Sequence, residues 1–559
     1  VWLKFVAKEG WPVAKSDAVL GVPYFFACLD LASPYGKSQA ARLVPFQPGE
    51  EQALEEELAS LGALLALLND PVSEGRLLKM RHYLGQVPDW REQLRRVSVG
   101  GVLHDAEFFM LKQNIFFCAA IRTLLYSNPE LASEFAPPDL AALSLLLDPD
   151  QTGSPSFYLS DAYSPQLGEV RSLLRERRKK LAGLASLEKE KAEKTFAQKF
   201  NLAGEIAVPR QERAQREILE HSGRFVQSRE TYTEIYYVRK ATAGESSLEA
   251  ELEKLKAMEH EEEERVRGRL SQEIKLRVAS LSLAIERLAR LDVVLSKALL
   301  ARRWCATRPE IVAYGEPLHF TMDMARHPQV EDELVTRGLI FTPTSLDLSA
   351  GVAIITGANM GGKTVALRTV GLLASLAAFG MYVPARNCRT SLFSAVTMLA
   401  GEYRAHLSGL SRFGHEVVNL CAALPQPGDR ALLLIDELAS STNPREGSAL
   451  AQAVVLHLQC APSITLLTTH YDRLAHLEGV VHWQVVGLSQ VGEEELREAL
   501  ARTKPESLSE LGRLMDYSLC RVAPAEALSR EAIRVARFLG LPESIVLQAL
   551  SLLQVKGEE

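Results

Sequence analysis

Leucines recur at three- and four-residue spacing across 51–68, and again across 102–125, where aromatics join them. That spacing predicts amphipathic helices from about 50 to 147, punctuated at Pro137-Pro138. Residues 1–50 read as irregular, with turn signals at Gly21-Val-Pro23 and Ser33-Pro-Tyr-Gly36. A polar linker at 148–165 leads into a charged helix at 169–200. Alternation then predicts strands at 205–209 and 231–238. Residues 246–304 return to one long helix, acidic at Glu261–Glu264 and apolar-spaced from Ile274 to Leu300. Helix, small β insertion and returning helix predict a two-helix arm with a tip, its helices burying apolar stripes against each other. From 310 the pattern turns to strands. Through 351–490 apolar strands alternate with helices, the signature of a parallel sheet covered on both faces. The tail from 495 reads as helical, with a last strand at 515–519.

Composition adds little pull toward any one partner. The chain has 559 residues, net charge −7 and a pI near 6.0. Length allows two to four domains, and the charge gives no global attraction to nucleic acid. Seven cysteines without a Cys-x-x-Cys pair suggest neither a disulfide framework nor a zinc site, which fits a reducing cytoplasm. No uninterrupted apolar run is long enough to span a bilayer, so no membrane is expected. The basic run 175–180 has two readings, a contact for phosphates or, more in keeping with the acidic returning helix, a solvated helix face. Phe108, Phe109, Phe116 and Phe117 read as helix packing rather than a base-stacking platform, since platforms sit on exposed sheet faces.

One stretch carries chemistry. The apolar run Val352 to Ile355 is followed by Gly357, Ala358, Asn359, Met360, Gly361, Gly362, Lys363 and Thr364. These satisfy the G-x-x-x-x-G-K-[ST] phosphate loop, and Val365 opens a buried-type helix. Glycines let backbone N–H groups approach phosphate oxygens, and the helix N-terminus adds partial positive charge. Lys363 is the candidate for the β- and γ-phosphates, and Thr364 for Mg²⁺. A second apolar strand, Leu432 to Ile435, ends in Asp436-Glu437. Asp436 is placed to hold Mg²⁺ and Glu437 to polarise an attacking water. A third strand ends at Thr469-His470; His470 is open to two readings, a γ-phosphate sensor or a structural histidine. Phe341, ahead of the first nucleotide strand, is likewise an adenine contact or a core aromatic.

The runs TGANMGGKT, LLLIDELASSTNPREGSALA and LLTTH, in that order, resemble the ATPase of the MutS family over about 310–559. Ala325-Arg326-His327-Pro328 is similar to that family's entry turn, and Leu291-Asp292 with Ser296-Lys297-Ala298 to its return helix. The resemblance implies an ABC-like P-loop ATPase domain preceded by an all-α lever domain and a two-helix arm with a β-containing tip. The implied division is 1–165 helical core and lever, 166–309 arm with its tip at about 202–239, 310–490 ATPase, and 491–559 helical dimerisation segment. It also implies ATP and Mg²⁺, and sites closed across a dimer of identical or related subunits. In 408–413, Ser411 matches the serine that reaches the partner's nucleotide, although Arg412 stands where the family carries threonine. Residues 439–447 replace the Gly-Arg-Gly-Thr-Ser type of mismatch-repair members. No Phe-x-Glu wedge occurs, and no Smr-type domain is expected at the C-terminal end. Family resemblance implies a DNA-binding, repair-related ATPase. The segments 442–447 and 515–519 look instead like ATPases that reactivate B12-dependent lysine aminomutases, which leaves a protein-remodelling role open.

Overall fold

The computed structural model describes residues 19–357, 362–400, 412–426, 428–488, 515–523, 533, 536–537 and 541–555. Two compact units emerge: one collects the residues up to 86, 123–136 and those from 286 onward, the other 87–122 and 137–285.

The second unit contains the antiparallel helix pair. Pro165–Phe196 starts at a Ser164 cap with proline in its first turn, and Ala243–Lys275 starts at a Thr242/Glu245 capping box. Val170, Leu174 and Leu252 bury the shared stripe. Arg171 ties the helices further by donating to Glu259 and Glu263 at 2.9 and 2.8 Å. Between the helices lies a three-stranded antiparallel sheet: β1 (Glu205–Pro209), β2 (Phe225–Glu230) and β3 (Glu234–Arg239), in the order β1-β3-β2. Ile206, Val208, Phe225, Ile235 and Tyr237 close it over Leu219 of the short helix Arg213–His221. Alternation does not reveal β2, because it is an edge strand exposed at every position after Phe225.

Two expectations are corrected here. Residues 1–50 are not irregular where described: Val22–Cys28 and Pro34–Ala40 are helices. The same Pro and Ser residues that signal turns also start helices; Ser33 caps by accepting from the Gly36 N–H. The long returning helix is also not continuous to 304. It ends at Lys275 and resumes as Val278–Arg303. At the break, the Arg277 side chain donates to the Glu273 carbonyl, 2.7 Å, a group the interruption leaves open. Asp105–Leu125 is the one described helix long and apolar enough to cross a membrane. It also carries Lys112 and Asn114, and its Phe108, Leu111, Ile115 and Ile121 are buried in protein packing.

In the first unit, β4 (Glu310–Ile311), β5 (His319–Ala325), β6 (Thr344–Ser349) and β8 (Asn387–Thr390) form a four-stranded sheet in the order β4-β8-β5-β6. The main sheet contains β7 (Gly351–Thr356), β9 (Ala395–Leu399), β10 (Ala431–Ile435), β11 (Ser463–Thr468), β12 (Val481–Gly487) and β13 (Asp516–Arg521). Its order is β13-β12-β7-β11-β10-β9. Only β13 runs antiparallel; every other neighbour pair is parallel.

Burial on both faces explains the unbroken apolar runs. On one face Ala353, Ile355, Leu432 and Leu434 pack with Leu367, Val370 and Leu373 of the helix Lys363–Ala378. On the other, Val352, Ile354, Leu433 and Ile435 meet Ala451, Val455 and Leu458 of the helix Pro444–Gln459. Period-two alternation places each set on its own side, and both sides are dry.

Candidate active site

Parallel pairing sets the site. Thr468 of β11 registers with Ile355 of β7, and Leu467 of β11 with Ile435 of β10. Three strands therefore end level, and the residues just beyond them converge at one sheet edge, where ligands bind in such folds. Gly357 follows β7, Asp436 and Glu437 follow β10, and Thr469 and His470 follow β11.

The phosphate-loop residues 358–361 lie outside the described residues. Both ends of that loop are left-handed: Gly357 has φ 129° and Gly362 φ 77°. A Cβ on Gly357 would stand 3.1 Å from Val485, and one on Gly362 3.1 Å from the Tyr517 ring. These positions need glycine both for the dihedral and for the close approach. Gly362 caps the helix that begins at Lys363. The Lys363 Nζ folds back and donates to the Gly357 carbonyl at 2.6 Å, so the lysine spans the loop. It is 4% exposed; burial pushes the ammonium below its ordinary pKa, and the Glu437 and Asp436 charges pull it back up. Val365 is the third residue of this helix.

Asp436 is held from two directions. One carboxylate oxygen accepts from the Thr364 hydroxyl at 2.8 Å, the other from the Thr468 hydroxyl at 2.6 Å. Thr468 is fully buried, and its hydroxyl also accepts from the Glu437 N–H at 3.0 Å. One hydroxyl thus orients both acidic residues. Sequence reading missed Thr468, although a threonine closing an otherwise apolar strand was the available signal. Glu437 Oε1 lies 2.7 Å from His470 Nε2. Neither reading of His470 names this contact, which ties the histidine to Glu437. Ser411 lies outside the described residues. Phe341 is 9% exposed, as a core aromatic would be.

The backbone after β10 is strained. Glu437 and Ala439 are non-glycine residues at φ 56° and 58°. Each costs about 1–2 kcal/mol against right-handed backbone. Such strain persists only where surroundings over-determine it. Here the Tyr471 hydroxyl donates to the Ala439 carbonyl at 3.0 Å. Gly447 permits this approach, since a Cβ there would lie 2.5 Å from the Tyr471 hydroxyl and 2.7 Å from that carbonyl.

Residues 353–555 match the family model of MutS domain V. The chain carries a MutS domain V, an ATPase domain. Among the relatives it resembles are proteins named endonuclease MutS2. The Thermomicrobium roseum protein is 33% identical over 312 residues, 54% of this chain and 36% of the relative. Identity to the Pelotomaculum thermopropionicum protein is 26% over 534 residues, 90% of this chain and 62% of that one. For the Shouchella clausii protein the match is 26% over 460 residues, 79% and 55%. The chain thus covers less than two thirds of each of these relatives' length.

The donor set of this MutS domain V suits a magnesium nucleotide. Thr364 and Asp436 present a hydroxyl and a carboxylate side by side. Mg²⁺ takes such oxygen ligands, typically one or two carboxylates with phosphates and water completing its shell. Among the described residues no larger cluster of His, Cys, Asp and Glu could hold a metal by itself.

Proposed function

We propose that the chain hydrolyses Mg-ATP at this sheet edge and uses the nucleotide state to switch its two-helix arm. One observation carries the reading: Asp436 joins the Thr364 hydroxyl to Thr468, while the neighbouring Glu437 sits against His470. In it, 357–365 cradle the triphosphate, Lys363 neutralises the β- and γ-phosphates, and Thr364 with Asp436 hold Mg²⁺. Glu437 aligns the attacking water, and His470 steadies Glu437 and senses the γ-phosphate. Residues 310–490 act as the engine, 166–309 as the arm, 491–559 as the pairing segment, and the helical 1–165 as the lever. Pairing is supported by the helix Glu543–Val555, which leaves Ile545, Leu547, Leu550 and Leu552 exposed. Exposed apolar side chains of this kind call for a partner surface. Ser411 then reaches the nucleotide of a second, identical or related subunit.

DNA is the gripped substrate in this reading, supported by the relatives named endonuclease MutS2, with the protein working in the cytoplasm. A specific feature favours a second reading, a remodelling ATPase acting on a protein such as a B12-dependent aminomutase. Some of the arm's basic residues are occupied by acids: Arg177 by Glu251, Lys180 by Glu176, and Arg229 by Glu205. Phosphate binding needs free cations and falls steeply with salt.

The test is the Glu437→Gln protein in Mg-ATP. It should bind ATP, turn over at least a hundredfold more slowly and accumulate as a dimer; wild-type turnover would refute the assignment. Co-purified nucleic acid released by salt supports the first reading, and a stoichiometric polypeptide the second. Lys363→Ala should lose ATP binding. Ser411→Ala should lower turnover in the dimer, and an equal loss in a forced monomer would refute a role across the interface.

A further inference from the structure

The turn that presents Glu437 has an anchor outside the sheet edge. Glu416 lies on the helix Arg412–Ala423. One of its carboxylate oxygens accepts from the Ala439 N–H at 2.5 Å, the other from the Ser441 hydroxyl at 3.0 Å. Ala439 is thereby held at both ends of its peptide, its N–H by Glu416 and its carbonyl by Tyr471. It is one of the two left-handed residues of the turn. The other, Glu437, is fixed on its N-terminal side by Thr468, and the Ser440 N–H closes back onto its carbonyl at 3.3 Å. Without Glu416 the Ala439 N–H loses its acceptor, and the far half of the turn is left with the tyrosine contact and the Ser440 bond, so that Ala439 can relax toward right-handed backbone. That relaxation swings Glu437, two residues earlier, away from His470.

We propose that Glu416 is a positioning residue for ATP hydrolysis, holding the strained Glu437–Ser441 turn so that the Glu437 carboxylate keeps its place at the sheet edge. Glu416 acts through the Ala439 backbone and the Ser441 hydroxyl. A charged acceptor suits the task, because carboxylate bonds to backbone N–H are short and strong. It also links the helix Arg412–Ala423 to the turn, so a shift of that helix is felt at Glu437. The inference rests on the reading of Glu437 as the residue that aligns the water.

Four variants are compared in the full chain: Glu416→Ala, Glu416→Gln, Glu416→Asp and Glu437→Gln. Steady-state turnover, KM for ATP, binding of a fluorescent ATP analogue and Tm are measured for each. Glu416→Ala should lose about ten- to hundredfold in kcat with KM and analogue affinity within about twofold, since misplacement by an ångström costs on this scale. Glu416→Gln should recover most of kcat, because its amide oxygen still accepts from Ala439. Glu416→Asp keeps the charge but is too short to reach both partners, and should stay low. Wild-type kcat in Glu416→Ala alongside a dead Glu437→Gln would overturn the inference and leave the site reading intact. Parallel losses of kcat, affinity and Tm in all three Glu416 variants would make the residue merely structural and also overturn it. Wild-type turnover in Glu437→Gln would overturn the site reading and this inference with it.

Discussion

Lys297 offers the sharpest energetic test of how the ATPase unit is held together. It lies on the helix Val278–Arg303 and is 1% exposed. Its ammonium donates to Glu57 at 2.6 Å and to the Phe379 carbonyl, at the C-terminal end of the phosphate-loop helix, at 2.9 Å. Burial pushes its pKa down and Glu57 pushes back. Consider Lys297→Met, which keeps most of the stem. Removing one member of a buried pair costs about 3–5 kcal/mol. Glu57 retains Arg290 at 3.4 Å, which moves the cost to the lower end of that range, about 3 kcal/mol. Glu57→Gln leaves a buried ammonium with a neutral amide and the carbonyl, at about 3 kcal/mol by the same reasoning. The double variant should cost less than the sum by about 1–2 kcal/mol, because the second change removes a group already stranded. Guanidinium unfolding of the four proteins gives the cycle. Hydrogen exchange along Lys363–Ala378 should show the loss at the helix's last turn first. A Lys297→Met cost under about 1 kcal/mol, or strict additivity, would refute this account.

His327 is fully buried, and burial lowers its pKa to about 3. The folded state therefore disfavours a proton that the unfolded chain accepts below about 6.5. Stability should be complete above that pH and fall by about 1.4 kcal/mol per unit below it, toward pH 3. His327→Gln should remove that slope in urea titrations at pH 7 and 5.5; an unchanged slope would contradict the assignment. Gly371→Ala puts a Cβ 2.3 Å from Leu20 and 2.7 Å from Leu434. Overpacking of this kind should cost about 1–3 kcal/mol and lower Tm; a rise in Tm would count against it. Thr468→Val keeps the shape but deletes the hydroxyl shared by Asp436 and Glu437. Turnover should fall about tenfold or more at fixed Mg-ATP, the scale for lost orienting partners of metal ligands. Titration of Mg²⁺ should show a raised half-saturation, and an unchanged one would deny Thr468 a part in orienting Asp436.

Much of this was written in local pattern. Leu432 to Ile435 and Val352 to Ile355 had to be strands buried on both faces, since no residue in either run tolerates water. The glycines, Lys363 and Thr364 marked a phosphate loop, because few other uses require that spacing. Asp436-Glu437 and His470 followed from their places just after strands. The registers of β7, β11 and β10 lay beyond the sequence, and they bring those three strand ends to one level. Thr468 and Glu416 acquire meaning only there. A threonine closing a strand and a glutamate on an amphipathic helix are ordinary locally, and their partners are distant in the chain or are backbone groups. Lys297 and Glu57 make the same point, separated by 240 positions. Short-range periodicity reports which face of an element is dry. Which charges meet, and which backbone is held under strain, is decided by long-range packing, and that is where the site's geometry was set.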